Sequence, residues 1–221
     1  MKKAISAQVL ENKAIAHLHY ISQGIDQKAH LENIERVLQA GCSWVQLRMK
    51  NTNYEVALET AHQAKALCDA FRTTLIINDN VSVAQEVDAC GVHLGQEDLS
   101  TAHARKILGS EKIIGGTANT FEQALNHIKN GVNYLGMGPL RFTSTKKKLS
   151  PVLGFEGYTN LTQKFSADNI NTPIIAIGGI TEADFQPLQQ IGLYGIAVSG
   201  LLTQSLNQKE IIEKASKLWS N

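Results

Sequence analysis

Two polar clusters carry most of the chemistry this sequence offers. Asn78 and Asp79 follow the apolar run Leu75 to Ile77, and Gln96, Glu97 and Asp98 follow Gly91 to Leu94. Between them, Val83, Ala84 and Val87 fall on one face of a short helical pattern. Strand, helix, strand at this separation reads as a βαβ unit with parallel strands. Both clusters then sit at the C-terminal ends of neighbouring strands, the edge where α/β folds bind ligands. Asp79 and Asp98 would face each other across one strand spacing, about 4.8 Å. Two unit negative charges about 5 Å apart repel by roughly 3 kcal/mol at an effective dielectric of about 20. Such a pair calls for a cation, a shared proton or water. Oxygen ligands with no cysteine nearby favour a hard ion, Mg²⁺ ahead of Zn²⁺. Equally, each aspartate could cap the helix that follows it, a position Asp favours.

Further candidates lie at other strand ends. Gln46, Arg48 and Lys50 are alternate residues that point the same way if the strand persists. Arg48 can fork onto a phosphorylated ligand and Lys50 can meet it as a point charge. The polar loop from Pro139 to Pro151 has the length of a lid, with hydroxyls at Thr143, Ser144 and Thr145 and a charge at Lys146. Ile177 to Ile180 (IGGI) and Val198 to Gly200 (VSG) place glycines where backbone N–H groups can approach a phosphate. His93, inside a strand, reads as a hydrogen-bonded core residue. No Ser-His-Asp or Cys-His arrangement can be placed with them. Anion sites, a Mg²⁺ site and no nucleophile fit a reaction that expels pyrophosphate, with charge stabilisation as the main catalytic effect.

These residues need a scaffold that brings strand ends together. Strands are expected at 16–21, 44–47, 75–77, 91–94, 112–115, 134–137, 173–177 and 195–198. Helical periodicity separates them, clearest at Ala57, Ala61, Ala64, Cys68 and Phe71. Ser100 and Thr181 are expected N-caps, a helix is expected from Thr120 to Asn130, and Gly41, Gly131 and Gly192 are natural stops. Eight strands alternating with about eight helices is the count of an α/β chain folded as a single (β/α)8 TIM barrel over residues 1–221. An open doubly wound sheet would want G-x-G-x-x-G after the first strand, and none is there.

Composition excludes other classes. With a formal net charge of +1 and 43% hydrophobic residues, the chain has ample core material and no basic field for nucleic acid. No apolar run approaches the ~20 residues of a membrane span. The residues after Lys2 and Lys3 are too mixed for a signal peptide. Cys42, Cys68 and Cys90 form no C-x-x-C, which suits a reducing cytoplasm.

Taken in order, VQLRMK, IINDN, GVHLGQEDL, YLGMGP, TSTKK and AIGGI resemble the thiamine phosphate synthase family over most of the chain. The resemblance implies a (β/α)8 barrel that joins a hydroxymethylpyrimidine diphosphate to a thiazole phosphate with Mg²⁺. Gln46, Leu47, Arg48, Met49 and Lys50, with Asn78, would hold the pyrimidine diphosphate, and Asp79 and Asp98 the metal. Thr117 would line the substrate site. Thr143, Ser144 and Thr145 would contact the thiazole phosphate, and Lys146 the diphosphate. Gly179 would hold the phosphate of the thiazole with Val198 and Ser199, or with Ser199 and Gly200. Arg48, Lys50 and Lys146 would stabilise the leaving group. Met49 stands where the family usually has Glu, Thr117 where it has Ser, and Asn119 where His is frequent. Arg141 and Phe142 replace a common Phe-Pro pair. A thiazole tautomerase on the same barrel departs at QLR-x-K and TSTK, and a non-catalytic thiamine phosphate sensor would need the pocket without the metal. Small-molecule substrates are the only partners implied, and the oligomeric state is left open.

Overall fold

Short, mostly apolar runs, most of them closed by Gly, Asn or Ser, form eight parallel strands that close on themselves. The computed structural model describes residues 15–142 and 152–220. Its strands are β1 (Leu18–Ile21), β2 (Trp44–Leu47), β3 (Thr74–Asn78), β4 (Gly91–Leu94), β5 (Ile113–Ala118), β6 (Tyr134–Met137), β7 (Ile174–Ile177) and β8 (Gly195–Val198). They pair in sequence order, and β8 returns to β1 through Leu18–Ile196 and Tyr20–Val198. The barrel expected from the alternation is therefore the fold observed.

The helices are α1 (Gln27–Gln39), α2 (Tyr54–Ala70), α3 (Val81–Glu86), α4 (Thr101–Leu108), α5 (Phe121–Lys129), α6 (Gly154–Ala167), α7 (Phe185–Gln190), α8 (Gly200–Thr203) and α9 (Gln208–Trp219). None among the described residues is long and apolar enough to cross a membrane. Ser100 caps α4 as expected and Thr120 caps α5, their hydroxyls accepting from His103 and Gln123 N–H. The helix expected after Thr181 is divided instead. A 3-10 turn, Glu182–Asp184, precedes α7 because the Asp184 carboxylate is turned back onto Thr181 and Arg141.

Alternation along each strand splits the core into two layers. Trp44, Ile76, Ile113, Tyr134, Ile175 and Ala197 fill the barrel interior. Val45, Leu47, Leu75, Ile77, Val92 and Leu94 pack outward under the helices. Leu47 thus belongs to the outer layer, whereas Gln46 and Arg48 alternate with it on the inward face. His93 is the core residue its position suggested, with Nδ1 3.0 Å from the Tyr134 hydroxyl and Nε2 2.9 Å from Thr117 Oγ1.

Candidate active site

The site is built from strand ends. β3 ends at Asn78, whose register partner on β4 is His93. The next N–H, that of Asp79, donates to His93 O at 2.8 Å and carries the ladder one step further. Asp79 then turns sharply, with φ of 65° in the left-handed region. Asp is among the few residues besides Gly that adopt this conformation. The turn leaves Asn80, not Asp79, to cap α3 by accepting from Val83 N–H. Asp98 does not cap α4 either; its Oδ2 accepts from Gly95 N–H at 2.6 Å. The capping alternative is thereby removed for both aspartates.

The two carboxyl groups meet at the mouth of the barrel. Burial raises the Asp79 pKa above its ordinary value, the neighbouring Asp98 carboxyl raises it further, and the Lys50 ammonium opposes both. Lys50 Nζ is ion-paired with Asp79 Oδ2. Two converging carboxylates with a cation already beside one of them are a donor set that suits a hard divalent ion. Arg48 lies alongside, its pKa lowered by burial and raised again by Asp79. Asn78 Nδ2 is buried and has no hydrogen-bond partner among the described residues. A buried amide without a partner costs roughly 1–3 kcal/mol, so it marks a place for a ligand acceptor.

Across the mouth, a cavity of about 940 Å³ is bounded by Arg48, Met49 and Lys50 on one side and by Gly178, Gly179, Val198, Ser199 and Gly200 on the other. Thr117 also lines it, its hydroxyl held by His93. Gln46 is buried beneath, and Leu47 points away into the outer layer. Val198, Ser199 and Gly200 all line the cavity, with the Val198 side chain packed into the outer layer. Thr143, Ser144, Thr145 and Lys146, with most of the expected lid, lie outside the described residues.

Ser22 and His30 are among the wall residues that sequence reasoning missed. Ser22 Oγ accepts the Arg48 backbone N–H at 3.0 Å and pairs with His30 Nδ1 at 2.8 Å. The only available signal was a histidine four residues before Ile34, on the apolar face of a helix.

The model of the thiamine monophosphate synthase family matches residues 18–202. A thiamine-phosphate synthase from Flavobacterium johnsoniae is 49% identical over 205 residues, covering 92% of this chain and 97% of its own. One from Bacteroides thetaiotaomicron is 42% identical, covering 89% of this chain and 99% of its own. The solved thiamine phosphate pyrophosphorylase from Pyrococcus furiosus superposes with a TM-score of 0.77 at 28% identity, over 92% of this chain and 95% of that one. With both the family model and these relatives spanning the strand ends that build the cavity, the chain belongs to the thiamine monophosphate synthase family.

Proposed function

We propose that this chain joins a hydroxymethylpyrimidine diphosphate to a thiazole phosphate, releasing pyrophosphate. It is a thiamine-phosphate synthase, a transferase, by its family and by relatives of that name. The finer reading rests on one observation. A cavity walled by Arg48 and Lys50 on one side and by a glycine turn on the other has two ends suited to anions.

In this mechanism the bond between the pyrimidine methylene carbon and the bridging diphosphate oxygen breaks, and the oxygen leaves with the electron pair. The exocyclic amine of the pyrimidine shares the positive charge on the methylene, and the thiazole nitrogen then supplies the pair for the new C–N bond. No proton has to be removed, so no general base is required. Arg48 and Lys50 hold the diphosphate and meet the charge that grows on it, a contribution larger in the transition state than in the bound substrate. Asn78 donates its free amide N–H to the same group, and Gln46 holds the pyrimidine from below. Lys146 is assigned to the diphosphate, and Thr143, Ser144 and Thr145 to the thiazole phosphate, by the family resemblance. Gly179, Ser199 and Gly200 hold that phosphate at the far end. Asp79 and Asp98 would hold Mg²⁺, which would supply neutralising charge to the pyrophosphate as it departs. The three thiols, Cys42, Cys68 and Cys90, suit a cytoplasmic setting.

The test is pyrophosphate release with each substrate omitted in turn. Release that needs both substrates supports the reading. Turnover of a thiazole phosphate alone would make the protein a tautomerase, and binding without turnover a sensor.

A further inference from the structure

We propose that Arg141, which never reaches the substrate, builds the phosphate-binding turn by occupying its carbonyl groups. The proposal rests on the reading above that the thiazole phosphate docks at Gly179. Three successive carbonyls after β7 are taken by the segment that follows β6. Leu140 N–H donates to Ile177 O at 2.9 Å and Arg141 N–H to Gly178 O at 3.1 Å, while Arg141 Nη1 donates to Gly179 O at 3.0 Å. In a trans peptide the C=O of one residue and the N–H of the next point in opposite directions. The N–H groups of Gly178, Gly179 and Ile180 are therefore turned away from this segment. None of the three donates to a group among the described residues. All three residues line the cavity. Consecutive N–H groups presented in this way form a concavity for an anion.

The backbone that permits this is open to glycine, with φ of 96° at Gly178 and 69° at Gly179. A Cβ on Gly178 would also fall 2.4 Å from Pro139 Cβ. Arg141 is fixed in turn by Asp184, through Nη1–Oδ2 and Nη2–Oδ1 contacts of 2.6 Å each. The same Oδ2 accepts from Thr181 N–H and Oγ1 at 2.8 Å, which ties down the residue after the turn. Burial by itself would raise the Asp184 pKa, but hydrogen bonds from Arg141 and Thr181 outweigh it and hold the carboxyl below its ordinary value. One guanidinium and one carboxylate thus hold both ends of the turn. Arg141 is a positioning residue.

The experiment compares the full-length parent with Arg141→Ala, Arg141→Lys and Asp184→Asn. It reads KM for each substrate, kcat, the thermal midpoint, and the affinity for inorganic phosphate by calorimetry. Arg141→Ala should raise KM for the thiazole phosphate and weaken inorganic phosphate by about tenfold each, as expected when hydrogen bonds to a charged group lose their alignment. KM for the pyrimidine diphosphate should stay within about twofold of the parent, inside the usual additivity error. Arg141→Lys should recover part of the loss, since an ammonium keeps the charge and can donate to Gly179 O and one Asp184 oxygen but lacks the two-nitrogen fork that Arg141 sets on the carboxylate. Unchanged phosphate affinity in the variants, or a lower thermal midpoint as the sole effect, would overturn the proposal. If Arg141→Ala does not fold, the lysine and asparagine variants decide the matter in the same way. A parent that releases no pyrophosphate from the two substrates would refute the synthase reading. The phosphate titrations would still report on the turn.

Discussion

At the scale of single residues, the mouth of the barrel is set by groups that hold other groups. Ser22 N–H donates to Gln46 O at 2.8 Å, and Ser22 Oγ accepts from Arg48 N–H at 3.0 Å. β2 therefore stays extended past Leu47, and Arg48 stays on the inward face. His30 is buried, which lowers its pKa, and the nearby Arg48 lowers it further. A neutral ring whose Nδ1 accepts the Ser22 O–H satisfies all three groups. Ser22→Ala removes the acceptor for Arg48, and KM for the pyrimidine diphosphate should rise about tenfold, the scale of one displaced charged contact. Ser22→Thr should restore it, and an alanine variant with parental KM would exclude the relay. The aspartate pair makes a separate prediction. Asp79→Asn and Asp98→Asn should each lower turnover by on the order of 10²–10³ without unfolding the protein, and EDTA should do the same to the parent. Full activity in all three would leave the carboxylates without a metal to hold. Their convergence was legible in the sequence because strand spacing alone brings them together. The Ser22–His30 pair was not, since it depends on how α1 folds back over the end of β1.

At the scale of elements, the departures from expectation have local causes. The sequence suggested a fifth strand from Lys112 to Gly115. The strand continues to Ala118. Glycine is there to make room, since a Cβ on Gly115 would lie 2.3 Å from Tyr134 Cζ and 2.5 Å from His93 Nδ1. A Cβ on Gly116, on the other face, would lie 2.8 Å from the His127 ring. Gly115→Ala should therefore destabilise the protein by about 1–3 kcal/mol through overpacking. It should also disturb the His93–Thr117 contact at the cavity wall. Urea unfolding checks the first effect, and a parental midpoint would show that the ring of Tyr134 can yield. The remaining strands were legible because each is a short apolar run with polar punctuation. Helix α8, four residues long, is below the length at which periodicity carries any signal. The division before α7 was invisible for another reason, because Asp184 is recruited by Arg141, 43 positions away.

At the scale of the whole molecule, the barrel is polar at its mouth but also carries buried histidines in its body, and these govern its response to acid. His19 stacks on Trp44 with ring centroids 4.2 Å apart and meets Tyr134 edge-on at 5.1 Å. Its Nε2 donates to Ala16 O at 2.8 Å. Burial lowers its pKa from 6.5 to about 3; the bond to Ala16 opposes the shift, and His93 and His17 add to it. His30 and His127 are shifted in the same direction, each first by burial. The sign follows from proton linkage: below pH 6.5 the unfolded chain takes up protons that the folded chain refuses. Stability is then complete above the unfolded pKa and is lost as pH falls toward the folded one. Each such histidine contributes a slope of about 1.4 kcal/mol per pH unit when fully titrating in the unfolded state alone. Urea unfolding between pH 5 and 6 should show stability falling with acid, while the carboxylates are still largely ionised. His19→Phe keeps a ring against Trp44 but cannot titrate, so its slope should be smaller than the parent's by close to one proton. Equal slopes in parent and variant would mean that His19 gains its proton in the folded barrel as readily as in the unfolded chain. The acid sensitivity would then have to come from other groups, His30 and His127 among them, whose pKa values burial also lowers.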